Sequence, residues 1–292
     1  MYDLIQVGEN TYYIQAPVNI GIYHMGEGQV VLIDSGIDKD AGKRILRVLE
    51  QNQWSLRAII NTHSHADHIG GNPFLQEKTG CEILATRLES AFIEFPHLEP
   101  SFLYGAAPFQ ELRNKFLQAK PSKVTGYLEE VNLPGIEIFP LPGHSYDMVG
   151  VKTADQVLFL ADCVFSQQVV EKYPVSFLYD VKAFLETLDQ ISDLSGTCFI
   201  PSHCVPMDSI KELSAINKKK VEEVSHSILV LCQNPISESN LIQQMFKRYH
   251  LEINLNQHVL IGSTIKAHLS YLKNQDKITY YFHENDIMWN NV

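Results

Sequence analysis

The feature that most constrains this chain is a ten-residue run, Thr62-His63-Ser64-His65-Ala66-Asp67-His68-Ile69-Gly70-Gly71, set directly behind the apolar stretch Arg57-Ala58-Ile59-Ile60-Asn61. A short apolar run of this kind reads as a buried strand. Three histidines and an aspartate then fall within six positions, on a tight turn that enters a helix. Imidazole nitrogen and carboxylate oxygen are zinc donors, at roughly 2.0–2.2 Å. A turn this short can aim such side chains at two neighbouring points. An ordinary polar loop does not concentrate four donors in this way, and the pattern is far more specific than an isolated His-x-His.

The rest of the chain supplies strands and helices in a repeating order. Residues 2–34 read as short strands, with 11–14 and 29–34 rich in β-formers. Residues 38–51 read as a helix carrying Ile45, Val48 and Leu49 on one face, and 72–79 as a helix closed at Gly80. Further strands are expected at 135–141, 148–153, 156–160 and 197–201, with a helix at 181–194. This order suits an α+β fold in which two sheets pack face to face with helices outside, an αββα sandwich over residues 1–209. Residues 86–123 break the rhythm. They hold Phe92, Phe95, His97, Phe102, Leu103, Tyr104 and Phe109, with a helix expected at 110–119. Such an aromatic excursion reads equally as a pocket wall or as a satellite hydrophobic cluster.

The end of the chain differs. A long helix at 210–232 is followed by a helix that Ser237 would cap and that runs to Tyr249, then a third helix at 255–272. A hairpin at 277–289 turns around Glu284-Asn285-Asp286. Helix, helix, helix, hairpin is the order of a winged-helix module, placed at 210–292. That module carries nine Lys and Arg against eight Asp and Glu, while the first 209 residues carry 14 basic and 26 acidic residues. An acidic body is a poor non-specific partner for nucleic acid, and the nearly neutral module does not argue for one. The third helix, the candidate groove reader, holds only Lys266 as a full positive charge before its last residues. Packing or a homodimer contact is therefore favoured for the module over RNA binding.

The five cysteines, Cys81, Cys163, Cys198, Cys204 and Cys232, are odd in number and scattered, which suits a reducing compartment rather than a disulfide framework. No apolar run reaches the ~20 residues of a membrane helix. The start, Met1-Tyr2-Asp3-Leu4-Ile5, lacks the basic and apolar regions of a secretory signal. A cytoplasmic protein without membrane association is expected.

The ten-residue run resembles the T-H-x-H-x-D-H-x-G-G signature of the metallo-β-lactamase superfamily. Later elements follow in that superfamily's order: Pro142-Gly143-His144-Ser145, Leu160-Ala161-Asp162, Pro201-Ser202-His203, and the early aspartate of Leu32-Ile33-Asp34-Ser35-Gly36. The resemblance covers residues 1 to about 210. It implies a first metal held by His63, His65 and His144, a second held by Asp67, His68 and His203, and Asp162 bridging both. Asp67 would be a ligand, a proton acceptor, or both. Asp34 would orient a ligand or the loop. Tyr179 occupies a segment where lactonase-like relatives place a substrate-contacting tyrosine, and core packing is an equal reading. His24, His97, His226, His250, His258, His268 and His283 show no ligand spacing.

What the resemblance implies is a binuclear metal-dependent hydrolase. The metals would be two Zn²⁺ by ligand type, although Mn²⁺ or iron suit the same donors. Where cysteine-ligated β-lactamases carry Cys, this chain has Asp162, with Cys163 one residue out of phase. The pattern looks more like the glyoxalase II, lactonase and phosphodiesterase branches. Hydrolysis of a small ester, thioester or lactone is the leading expectation, and RNA or phosphodiester cleavage the second. A flavodiiron-like redox enzyme would need a flavin-binding segment not visible after residue 210. A non-enzymatic winged-helix binder would have no use for an open metal site.

Overall fold

The computed structural model describes residues 2–292. Seven strands form one sheet in chain order: β1 (Asp3–Gln6), β2 (Thr11–Gln15), β3 (Ile20–Gly26), β4 (Gln29–Ile33), β5 (Ser55–Ile60), β6 (Glu82–Ala85) and β7 (Gly126–Tyr127). The first four pair antiparallel, and β4 through β7 pair parallel. A second sheet has the order β11 (Cys198–Pro201), β10 (Val157–Ala161), β9 (Val149–Thr153), β8 (Ile136–Pro140).

Strand alternation decides what each face meets. On β4 and β5, Val31, Ile33, Ala58 and Ile60 turn inward and pack with Val149, Val151, Val157, Phe159 and Ile200 of the second sheet. Val30, Leu32, Leu56 and Ile59 turn outward onto Ile45, Val48 and Leu49 of α1 (Lys39–Gln51). Asp38 caps that helix by accepting from the amides of Asp40 and Ala41. On the far side, Leu158, Leu160 and Phe199 meet α7 (Val181–Ser192) and the first half of α8 (Lys211–Leu231) through Phe184, Leu188, Leu213 and Val221. The result is the four-layer αββα sandwich expected from the strand order.

The short helices are α2 (Ala66–Ile69), α3 (Asn72–Thr79), α4 (Arg87–Glu94), α5 (Leu98–Tyr104) and α6 (Gln167–Lys172). The helix expected at 110–119 does not form. Only a single 3₁₀ turn is present, at Gln110–Leu112. Asn114 is the reason: its side chain accepts from the Phe116 amide, and its NH₂ donates to the Glu111 carbonyl and to Asn256 Oδ1. A side chain that bonds neighbouring backbone competes with helix formation. The helices of the excursion are instead α4 and α5, which its apolar spacing had not indicated.

Past α8 come β12 (Ile236–Ser237), α9 (Glu238–Arg248), α10 (Leu255–Lys273), β13 (Ile278–His283) and β14 (Asp286–Asn291), with the three strands forming a small sheet. Ser237 caps α9 by accepting from the Asn240 amide, as expected. Helix α10 is wedged between two bodies. Its Ile261, Ile265, Leu269 and Leu272 pack on α8 and α9, while Val259 packs with Leu103, Leu112 and Leu117 of the excursion. Among the described residues, no helix is long and apolar enough to cross a membrane.

Candidate metal centre

Each of the seven expected ligand residues lies in the segment that follows the carboxyl end of a strand, where open α/β sheets place their sites. His63 and His65 leave β5 on the turn, and Asp67 and His68 stand on α2. His144 sits between β8 and β9, Asp162 directly follows β10, and His203 follows β11. Local backbone explains the aim. Gly143, at φ +121°, passes so close to α7 that a Cβ would stand 2.3 Å from the Phe184 nitrogen. Gly70 likewise lets α2 press against the loop after Asp34, since a Cβ there would lie 2.0 Å from the Ile37 carbonyl oxygen. In β10 the register shifts between Phe159 and Ala161, and Ala161 adopts φ +49°. A non-glycine residue in that region is uncommon and turns the chain. Here it directs Asp162 toward the histidines, whereas buried Cys163 faces the packing against α7 and is not among the clustered donors.

Three donor groups converge: His63, His65 and His144; His63, His68 and Asp162; and Asp67, His68 and His203, the donor atoms of each within 4.8 Å of one another. In the first group, His65 Nδ1 lies 3.1 Å from His63 Nε2 and 3.0 Å from His144 Nε2. The Phe177 carbonyl, 3.1 Å from His144 Nδ1, can only accept, so His144 carries its proton there and turns a lone pair inward. Burial holds all three rings neutral: His63 is driven well below the ordinary range, His65 to about 4 and His144 to about 3. Neutral imidazole is the ligating form. Lone pairs crowded at one point call for a cation between them.

The second half is built from opposite charges. Burial favours neutral His68, but Asp162, Asp34 and Asp67 outweigh it and hold the ring well above the usual range. His203 behaves alike, raised to about 10 against its burial by Asp162 and Asp67. Burial would raise Asp67, yet His68 and His203 bring it down to about 2, and His203 and His68 lower Asp162 well below a normal carboxylate. Asp162 spans the group: its Oδ1 is 3.3 Å from His68 Nε2, and its Oδ2 is 3.2 Å from His203 Nε2 and 3.6 Å from His144 Nε2. His68 Nε2 and Asp162 Oδ1, although 3.3 Å apart, are nevertheless sealed from solvent and make no hydrogen bond. Buried orphans of this kind are rare and costly. A divalent ion held by both atoms would satisfy them, so the donor set fits the metals that the sequence implies.

The outer nitrogens are supported as well. Asp34, at φ +65°, accepts from the Thr62 amide at 2.9 Å, from the Thr62 hydroxyl at 2.8 Å and from His68 Nδ1 at 2.8 Å. It thus touches both a candidate ligand and the loop. His203 Nδ1 donates to the Pro17 carbonyl. Tyr179 is 40% exposed rather than in the core, and stands 4.2 Å from the Tyr146 ring. With Phe102 and Phe92 these rings form one aromatic cluster, joined through Tyr146 to the loop that carries His144. Phe177 packs edge-on against His65 and His144. Cys204 is buried in the packing beside β11.

Two buried acids of the excursion were not anticipated. Glu89 is fully buried among hydroxyls and amides of the ligand loops, and Glu99 Oε1 lies 3.7 Å from His65 Nε2. Burial, helped by Glu89, raises the Glu99 carboxyl to about 8. The one signal available in the sequence was an acid inside an otherwise apolar, aromatic stretch. A groove of about 750 Å³ between α7 and α10, bordered by Tyr179, Lys182 and Tyr271, contains none of the donor residues.

Residues 13–203 match the Metallo-beta-lactamase superfamily, and the chain belongs to it. A hydroxyacylglutathione hydrolase of Rhodopseudomonas palustris (strain BisB18) is 35% identical over 138 residues, 46% of this chain and 45% of that protein. The chain therefore spans about half the length of the curated relatives it matches. Among solved structures, a beta-lactamase domain protein from Burkholderia ambifaria superposes with a TM-score of 0.76 at 18% identity, over 99% of this chain and 94% of that one. A metallo-beta-lactamase family protein from Thermus thermophilus gives 0.72 at 18%, over 97% and 99%. At these identities the likeness speaks for the fold, and it extends over the C-terminal elements.

Proposed function

We propose that this protein is a binuclear metal-dependent hydrolase of a small ester, thioester or lactone, with a thioester foremost. The observation that carries the reading is the pairing of three mutually facing imidazoles with an Asp162 carboxylate whose buried Oδ1 makes no hydrogen bond. The similarity to hydroxyacylglutathione hydrolases, whose named substrate is a thioester, supports the choice within the class.

In this reading His63, His65 and His144 hold one ion, Asp67, His68 and His203 hold the other, and Asp162 is shared. Two Zn²⁺ suit the donors, and Mn²⁺ or iron are compatible. When bound, the ions supply Lewis acidity, lowering the pKa of a water and offsetting negative charge that develops on the substrate. The chain does the rest. Asp34 fixes the His68 ring through Nδ1, and the Phe177 and Pro17 carbonyls fix His144 and His203. Asp67 is the more exposed of the two aspartates, which suits it to meet substrate, and with its carboxyl held at about 2 its role as a ligand comes ahead of that as a proton acceptor. Tyr146, Tyr179, Phe102 and Phe92 form the wall against which an acyl group lies and from which water is displaced.

Residues 1–209 carry this chemistry, and residues 210–292 act as a packing module. Helix α10 would have to face a nucleic-acid groove in a winged-helix reader. Its Thr264, Ile265, His268 and Leu269 are instead buried, and Lys266 is 3.5 Å from Glu238. Turnover of a thioester, a lactone and a chromogenic phosphodiester on metal-quantified protein tests the proposal. The expected result is close to two metals per chain with thioester or lactone cleavage. Phosphodiester cleavage as the dominant activity would overturn it.

A further inference from the structure

Glu89 stands on the first turn of α4, inside the excursion that breaks the strand–helix rhythm, and is 0% exposed. All its acceptor capacity is used. Oε2 accepts from the Ser64 amide at 3.0 Å and the Ser64 hydroxyl at 2.5 Å, and Oε1 accepts from the Ser145 hydroxyl at 2.6 Å and the Asp147 amide at 3.0 Å. Ser64 lies between His63 and His65, and Ser145 follows His144. One carboxylate therefore ties together the two loops that carry the three imidazoles, loops about 80 residues apart in the chain. We infer that Glu89 is a positioning residue for the metal centre: it sets the spacing of His63, His65 and His144, and so makes α4 part of the site rather than a lid over it. The inference rests on the metal-centre reading above.

The chemistry demands a carboxylate. Each oxygen faces a backbone N–H, which cannot rotate away, besides a hydroxyl, which can. A glutamine has the same shape but replaces one oxygen with NH₂. Whichever way the amide is flipped, that NH₂ opposes a backbone N–H, the buried one of Ser64 or the partly buried one of Asp147, and two donors are left without an acceptor. The loops then move apart by whatever relieves the clash. Aspartate is one methylene short of spanning both loops.

The test uses the full chain, stripped of metal and titrated with Co²⁺ alone. Co²⁺ reports ligand geometry through its visible absorption bands. Wild type is expected to bind with bands of a nitrogen-rich site. Glu89→Gln is expected to bind about tenfold to a hundredfold more weakly, with shifted band positions, the range found when groups supporting a ligand are removed. A variant of lower melting temperature that keeps wild-type Co²⁺ affinity and bands would overturn the inference, because Glu89 would then only hold the fold. Should Glu89→Gln fail to fold, Ser64→Ala with Ser145→Ala removes both hydroxyls and leaves both amides on the carboxylate. A smaller loss of affinity with displaced bands supports the assignment, and unchanged binding overturns it. Wild type that takes up no Co²⁺ would sink the metal-centre reading and this inference together, whereas equal binding by wild type and variants sinks this inference alone.

Discussion

His68 on α2 and His268 in the C-terminal half of α10 are both sealed from solvent, yet the protein treats them in opposite ways. His268 Nδ1 lies 2.9 Å from the Ser225 hydroxyl of α8, and burial alone pushes its pKa down to about 3. His68 is at least as buried, but Asp34, Asp67 and Asp162 surround it and drive its pKa up, while its Nε2 finds no hydrogen bond. The first is a core histidine, neutral and paired. The second belongs to a set whose charges and lone pairs remain unresolved by the protein itself. Burial does not distinguish them. What does is whether the protein has finished satisfying the group, and an unfinished group in the interior indicates a ligand supplied from outside.

The comparison breaks most easily at the unfinished end. Asp162→Ala removes the shared carboxylate, and His65→Ala removes an imidazole from the first group. Either change is expected to lower kcat/KM by about three orders of magnitude or more, roughly 4 kcal/mol of transition-state stabilisation, and to reduce bound metal. The chain should still fold, because the sandwich core of Val31, Ile33, Ile60, Val151 and Phe159 is untouched. Elemental analysis and circular dichroism of each variant check both halves. Full turnover in either one would refute the site assignment.

The two regions also differ in how much of them the sequence discloses. His63, His65, Asp67 and His68 are legible because their spacing is local: a strand end, a turn and one helical turn fix where they stand. His144, Asp162 and His203 are legible through the short motifs around them and their order in the chain. Glu89 and Glu99 were not legible. Their roles depend on how α4 and α5 dock, and these helices are seven or eight residues long, so they show too few turns for a hydrophobic period to declare itself. The segment at 110–119 went wrong for a related reason. One side chain, Asn114, overrides helix propensity by bonding backbone at Glu111 and Phe116, a competition no averaged pattern registers. At the C-terminal end, amphipathic spacing and the Ser237 cap gave the element order. Yet a helix's periodicity says only that one face is buried, and α10 buries two.

That second face joins the regions, and it yields a prediction of middle size. Thr264 of α10 accepts from the Leu178 amide at 3.3 Å, and Leu178 follows the Phe177 whose carbonyl holds His144. Thr264→Val keeps shape but leaves a buried N–H unpaired, at a cost of about 1–3 kcal/mol in stability. If α10 supports the centre, metal affinity should also fall, though less than in the ligand variants. A melting curve and a metal titration on the same sample separate the outcomes. A loss of stability with unchanged metal affinity would mean that the module packs without supporting the site.

The smallest effect belongs to His268, and its sign follows from linkage. The folded pKa of about 3 lies below the unfolded value of roughly 6.5, so as pH falls the unfolded chain takes up the proton first. Stability from this group is intact above about pH 6.5 and drains away as the pH drops toward 3. His268→Gln has nothing to protonate, so its stability should fall less between pH 7 and pH 5 than that of wild type, by up to about 2 kcal/mol. The measurement is best made on metal-stripped protein, so that protonation of the candidate ligand histidines does not add a metal-release term. At pH 7 the variant is expected to be the less stable of the two, since glutamine fills the α8–α10 interface less well than the imidazole does. The informative quantity is therefore the difference between the pH slopes. Parallel slopes for wild type and variant would show that His268 is protonated as readily in the fold as in the open chain. The contrast with His68 would then rest on the neighbouring carboxylates alone, with burial contributing nothing.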